Sequence, residues 1–447
     1  MQQEVRGRVL FMVYEFPPAA GGGVLRAASF AAHLRRLGWD LTVLCAEPVP
    51  GRPYDPSLLE QVEGVEVVRL AHKNLARAVA SFTEPVKRLA PRRSEAPVGD
   101  DGMAAGGGSV KTATRSLPLS TRIPRALGFL DEAGLWARAA AKKGAALARE
   151  RGFDVILASG PPFSTLAAAR EVSGATGLPL VLDLRDPWAG NLGMAGMTSA
   201  QRARANWAEE RALSGAASAV AVSEVIAEEV RRFGVERVEV IPNGFEPGVM
   251  PERVAPSDGP LRLVFLGRFS STTIDASTVL EAMAGAADDE VAECRLEIAG
   301  PPAPWVLDAA DRLRLGGRVR HHGYLPYRDA LRLAAGADAG LVLIPDAPGS
   351  EGVYSSKLFD YMGLGLPVLL VGPEGCAAAR LVQAARLGEV VRPGDVAGAA
   401  RAITRFAEAK ADGRALTEPD PDVVGRFDRA AQAEVLSRVL GEAAGSR

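Results

Sequence analysis

Four short stretches of the sequence put groups capable of chemistry beside a turn. In EFPPAAGGG, Glu15 precedes a loop that closes on Gly21, Gly22 and Gly23 and runs into the helical stretch VLRAASFAAHLRRLG. Consecutive glycines let backbone amides approach a bound group, and a helix N-terminus favours negative charge, so Gly22 and Gly23 are candidates for holding an anionic ligand. In DLRDPW, Asp183, Arg185 and Asp186 stand at the end of a strand-like run. Unlike charges there are tolerated only with partners: either they orient a polar substrate and contact a phosphate, or they form a structural ion pair that supports the turn. FLGRF places Gly267 and Arg268 at the end of another strand-like run, and SSKLFDYMGLG gathers Ser355, Ser356, Lys357 and Asp360 at a helix start. Cations and amides in such places suit phosphate oxygens, the guanidinium through its planar fork.

Other chemistries find less support. Glu47 follows the second strand-like run, where a dinucleotide-binding fold keeps its ribose carboxylate, but Gly21-Gly22-Gly23 is not the GxGxxG spacing and Pro17-Pro18 lengthens the loop. The three cysteines, Cys45, Cys294 and Cys376, match no metal-ligand spacing and are expected as reduced thiols. Asp420-Pro421-Asp422 is the one Asp-x-Asp and sits in an acidic run that reads as solvated surface. His33, His321 and His322 read as structural, and no residue stands out as a covalent nucleophile.

The elements that must position these groups follow from the alternation of short apolar runs with Ala-rich helical stretches, the pattern of βαβ units and a parallel sheet. Strands are predicted at residues 9–14, 41–45, 65–70, 155–159, 180–184 and 219–222. The run VEVIPNG and a Pro-rich stretch to residue 260 then mark a boundary. The pattern restarts at residues 261–267, 295–300, 319–323, 340–344 and 367–371, and a last helix is predicted over 426–440. Two Rossmann-like α/β domains facing across a cleft are therefore expected, spanning residues 1–245 and 246–425, with 426–447 packing back on the first. A length of 447 residues accommodates two such cores.

With 47% hydrophobic and 24% charged residues and a net charge of -2, nothing points to nucleic acid. The first strand begins almost at the N-terminus and no apolar run reaches the ~20 residues of a membrane span, so a cytoplasmic protein is expected. Residues 69–125 fit neither half, with eleven Lys and Arg against four Asp and Glu. They read either as a surface insertion or as a basic patch making peripheral contact with anionic lipid on the inner face of a membrane.

Six stretches in order, EFPPAAGGGVLRA, ASGPPFSTLAAA, VLDLRDPW, VIPNGFE, FLGRF and SSKLFDYMGLGLPVL, give the chain its resemblance to the retaining GT-B glycosyltransferases of the family-four type. SGPP followed by DLRDPW looks like one subgroup of that family. The resemblance covers nearly the whole chain apart from the basic insertion. It implies a nucleotide-sugar donor as co-substrate, bound mainly by the second domain, and an acceptor, a lipid-linked sugar or a small molecule, bound by the first. It also implies retention and no cofactor or metal.

Carried onto this sequence, the resemblance makes Arg268 the contact to the donor diphosphate, where charge develops in the transition state. The lysine that relatives add a few residues later is missing from FSSTTIDAS, and Lys357, with Ser355 and Ser356, is expected to take over that contact. Asp360 occupies the place of the second glutamate of the family's paired-glutamate motif, where a carboxylate can accept from both ribose hydroxyls. The first would fall at Gly352, a departure that puts direct carboxylate contact with the donor sugar in question, with Glu351 next door. The loop over residues 346–352 is expected to wrap the donor sugar, and Tyr324 is a candidate for covering the base. On the acceptor side stand Glu15, Asp183, Arg185 and Asp186, with Asp186 or Asp183 orienting the acceptor hydroxyl. A sugar-nucleotide epimerase or hydrolase of the same shape, or a non-catalytic nucleotide-sugar-binding protein, is the alternative reading.

Overall fold

Runs such as GRVLFMV and LRLVFL are apolar on both faces, which suits strands covered by helices on both sides. The computed structural model describes residues 6–49, 52–71, 131–188, 198–254, 258–269, 274–285, 294–347 and 350–445. Nearly all of the basic insertion, residues 72–125, lies outside the described residues.

The first sheet has seven strands: β1 (Gly7–Val13), β2 (Trp39–Ala46), β3 (Glu66–Leu70), β4 (Val155–Gly160), β5 (Leu180–Leu184), β6 (Ser218–Ala221) and β7 (Val238–Val240). They lie in the order β3-β2-β1-β4-β5-β6-β7, every pair parallel. The second sheet has six: β8 (Leu261–Leu266), β9 (Cys294–Ala299), β10 (Val319–His321), β11 (Ala339–Leu343), β12 (Val368–Val371) and β13 (Gly388–Val391). Their order, β10-β9-β8-β11-β12-β13, is also all parallel. Both sheets are thus Rossmann-like, and each reverses direction between its first and fourth strands, β1/β4 and β8/β11. Ligands of open α/β sheets bind at the carboxyl ends of strands flanking such a switch. The predicted strand over 319–323 is shorter than expected and ends at His321, and β7 and β13 were not anticipated.

Five helices matter for the site: α1 (Gly22–Arg36), α2 (Phe163–Thr176), α3 (Tyr327–Ala335), α4 (Ser356–Gly363) and α5 (Arg429–Gly445). The Ala-rich faces of α1 and α5 pack together on the first sheet. Ala28, Ala31, Ala433, Leu436 and Leu440 share one core with Val9, Phe11 and Val13 of β1. The C-terminal helix therefore belongs to the N-terminal core. To get there the chain recrosses between the halves beside its first crossing: Phe245 N–H donates to the Phe427 carbonyl (2.9 Å), and Arg429 N–H to the Phe245 carbonyl (3.1 Å). At Gly244 a Cβ would overlap the Phe427 carbonyl, so the approach of the two segments requires glycine. The three cysteines are buried free thiols. No helix among the described residues is long and apolar enough to cross a membrane.

Candidate active site

A cleft of about 370 Å³ opens between the two halves. One wall is the loop and first turn of α1, with Gly21, Gly22 and Leu25, together with Pro53 and Leu58. The other wall belongs to the second sheet and carries Gly267, Arg268, Gly300, Tyr324, Tyr327, Ser356, Lys357 and Asp360. Seven residues expected at a nucleotide-sugar site from sequence, Gly22, Gly267, Arg268, Tyr324, Ser356, Lys357 and Asp360, thus line one cavity.

The floor is backbone. Gly267 has φ 115°, a conformation that disfavours any side chain, and a Cβ there would come within 2.9 Å of Lys357 Cε. At Gly300 a Cβ would overlap the Gly267 carbonyl. The ends of β8 and β9 therefore approach so closely that only main chain fits, leaving Arg268 exposed at the rim.

Lys357 is half-buried, with Nζ 3.4 Å from Ser355 Oγ and 4.8 Å from the centre of the Phe265 ring. Burial lowers its pKa to about 8, opposed by the charge of Asp360 one turn along α4. Asp360 is 8% exposed, and burial pushes its carboxyl up to about 6. The Tyr327 hydroxyl, which donates to Oδ1 at 2.7 Å, opposes that rise, as do the nearby charges of Arg429 and Lys357. An ammonium and a carboxylate thus stand charged side by side in this wall near neutral pH.

The halves touch across the cleft. A Cβ on Gly22 would sit 3.1 Å from Ser356 Oγ, and one on Gly352 would sit 3.0 Å from Val225 Cβ and 3.2 Å from Ser223 Oγ. A glutamate at position 352 would therefore have to displace the turn after β6. Asp55 Oδ1 accepts from Ser57 N–H, while Oδ2 accepts from Tyr327 N–H, the first residue of α3 in the opposite half, both at 3.0 Å. Beside it Arg328 pairs with Glu60 at 2.7 Å.

The acceptor-side expectations divide. Asp183 is 1% exposed and held by Arg26, whose Nη2 lies 2.8 Å from Oδ1, and by the Ser159 hydroxyl, which donates to Oδ2 at 2.7 Å. Arg26 continues to the Ile241 and Pro242 carbonyls. Asp183 is therefore the centre of a structural ion pair tying α1, β5 and the chain crossing together, and the expectation that it orients an acceptor is corrected. Arg185 is half-buried and donates to the Gly160 carbonyl at 3.2 Å and to the Pro161 carbonyl. Its guanidinium fills the place that a Cβ on Gly23 would take, so Gly23 faces Arg185 and lies outside the cleft lining. Asp186, next along, is half-buried, with its carboxyl pushed up to about 6 by burial against the opposing charge of Arg185. Glu15 pairs with Arg52 at 2.5 Å, and Arg52 also holds Glu132. Ser355 sits behind Lys357 and outside the lining.

Two histidines are paired with carboxylates: His33 Nε2 meets Glu246 Oε2 at 2.9 Å, and His322 Nε2 meets Glu297 Oε2 at 2.5 Å. His322 follows β10 and is not part of it. In the loop expected to wrap the donor sugar, residues 348 and 349 lie outside the described ones. Sequence reasoning did not single out Tyr327 or Asp55, whose roles depend on the other half of the molecule.

Residues 71–244 match the glycosyl transferase 4-like domain, and residues 260–409 match the glycosyl transferases group 1 domain. No curated protein sequence matches the chain. Among solved structures, a sucrose-phosphate synthase from Thermosynechococcus elongatus is 16% identical, with a TM-score of 0.63 over 97% of this chain and 98% of the other. A glycosyltransferase from Rickettsia africae is 13% identical, with a TM-score of 0.63 over 99% of both chains. An alpha,alpha-trehalose 6-phosphate synthase from Burkholderia multivorans is also 13% identical, with a TM-score of 0.58 over 99% of this chain and 98% of that one. At these identities the structures share the fold.

Proposed function

From a chain that is a glycosyltransferase with two Rossmann-like GT-B domains, we propose a reaction that moves a sugar from a nucleoside-diphosphate donor to an acceptor hydroxyl with retention and without a metal ion. One observation carries this reading: Arg268, Lys357 and Asp360 line a single cleft whose opposite wall is the N-terminus of α1.

As the sugar–phosphate bond breaks, negative charge collects on the departing diphosphate. The Arg268 fork at the rim, the Lys357 ammonium and the amides at the start of α4 meet that charge where a divalent ion would otherwise serve. The partial burial of Lys357 strengthens its interaction with phosphate over that in bulk solvent. Asp360 accepts from the donor ribose, and Tyr324, an exposed residue of the same lining, covers the base.

Asp186 and Arg185 at the carboxyl end of β5 form the acceptor side, with the Asp186 carboxylate accepting from the incoming hydroxyl. With no covalent nucleophile assigned, retention follows from departure and attack on one face of the sugar within an ion pair. Turnover is expected to persist in a chelator such as EDTA.

The test is a panel of nucleotide sugars scored by thermal stabilisation. A true donor at a hundred times its Kd stabilises the folded chain by about 2.7 kcal/mol, enough for a clear rise in Tm. A panel in which no nucleotide sugar moves Tm would refute the reading.

A further inference from the structure

Tyr327 sits where three parts of the molecule meet. It is the first residue of α3, its side chain lines the cleft, and its hydroxyl donates to Asp360 Oδ1 at 2.7 Å. Its backbone N–H is taken by Asp55 Oδ2 of the opposite half at 3.0 Å. Asp55 is 3% exposed, and its other oxygen accepts from Ser57 N–H at the start of the 3-10 turn Pro56–Val62. One buried carboxylate thus caps helical starts in both halves. Among the described residues no hydrogen-bond donor reaches Asp360 Oδ2, and Asp360 lines the cleft.

We propose that Tyr327 is the positioning residue of the donor wall: its phenol holds Asp360 by one oxygen so that the other faces the donor ribose, and Asp55 fixes Tyr327 from across the cleft. This rests on the reading of Asp360 as the ribose carboxylate.

The chemistry favours one direction of donation. Burial and the neighbouring carboxylate raise the phenol's pKa well above its usual value, so Tyr327 remains an O–H donor throughout the working range. A donor hydrogen bond stabilises the ionised carboxylate, the form that accepts two ribose hydroxyls. The charged and titratable groups near this pair are Lys357 on the helix of Asp360, the adjacent Tyr361, Arg429 on α5, Glu246, and Asp55 at the Tyr327 N–H, while Arg268 lines the same cleft. Removing the hydroxyl leaves all of them in place and takes away one hydrogen bond that favours charge.

The experiment is calorimetry on the full chain with UDP-glucose, ADP-glucose and GDP-mannose, each titrated from about pH 5 to about pH 8. The phosphodiester groups of these probes do not ionise in that range. For the parent protein, affinity for the probe that binds rises through about pH 6 as Asp360 ionises. In Tyr327→Phe, which keeps the ring, the rise is expected to move up by about one pH unit. That costs about fivefold in affinity at about pH 6 and little at about pH 8, where both proteins are ionised. Asp55→Ala is expected to move the profile the same way by less.

A loss of equal size at every pH is the mark of a merely structural tyrosine and overturns the assignment, as does a Tyr327→Phe profile that superimposes on the parent's. An unchanged profile in Asp55→Ala overturns the part of the proposal that reaches across the cleft. If Asp360→Asn binds the probe as tightly as the parent at about pH 8, or if no probe binds the parent, the donor reading itself fails and takes this inference with it.

Discussion

Replacing Asp183 with asparagine keeps the shape of the buried cluster and removes its charge. Arg26, 2% exposed, then loses a carboxylate that meets both Nε and Nη2, and Ser159 loses its acceptor at Oδ2 or faces an amide N–H instead. Breaking a buried ion pair from one side costs about 3–5 kcal/mol, because a desolvated charge is left without its partner. Arg26 retains the Ile241 and Pro242 carbonyls, at 2.9 and 2.7 Å, so the lower end is expected, about 3 kcal/mol. That raises the unfolded-to-folded ratio of the N-terminal half by about a hundredfold.

Urea unfolding followed by tryptophan emission reads this half selectively: Trp136 and Trp188 are fully buried in its core, whereas Trp305 of the other half is 40% exposed. Exchanging Arg26 and Asp183 together for Met and Leu should recover most of the loss, since no charge is then stranded. Nucleotide-sugar binding should be unchanged in the folded protein. A stability loss under about 1 kcal/mol, combined with a collapse of turnover, would refute the structural assignment and return Asp183 to the acceptor site.

Arg268→Ala and Lys357→Ala should each lower turnover on the order of a hundredfold, with Arg268→Lys recovering only part, and steady-state kinetics with the identified donor checks this. Donor binding should be bell-shaped in pH: it rises through about 6 as Asp360 gains its charge and falls above about 8 as Lys357 loses its own, and calorimetry across that range reads both limbs. Gly23→Ala forces its new methyl onto the Arg185 guanidinium, which the Gly160 and Pro161 carbonyls hold in place. It should cost about 1–3 kcal/mol in unfolding free energy and raise KM for the acceptor while leaving donor affinity unchanged.

Most strands were legible because they are apolar runs long enough to stand out, as in VLFMV or LRLVFL. The edge strand GEVV is four residues long and mostly half-buried, and gives no such contrast. That Arg268, Lys357 and Asp360 share one cleft wall was legible for a related reason: Arg268 comes two residues after a strand, and Lys357 and Asp360 share one helix turn, so local order in the chain already groups them. Asp183 was ambiguous because its partner Arg26 is 157 residues away and looks from sequence like any helix arginine. Tyr327 was invisible as a functional residue because what defines it is a hydrogen bond that it donates to a residue 272 positions earlier, across two separate cores.

The two chain crossings at Phe245 and Phe427 to Arg429 determine which way the molecule can bend. A single tether would let one half swivel freely about its backbone torsions. Two tethers side by side, joined by backbone hydrogen bonds and gripped by Arg26 and Arg429, resist swivelling, because twist would shear those bonds. Bending about the line joining them needs only small torsional changes at a few residues, the usual mechanics of a hinge. A book-like swing of the halves would have an amplitude that grows with distance from Phe245. The Asp55–Tyr327 and Glu60–Arg328 contacts, which join the halves across the cleft, are the ones such a swing would break first.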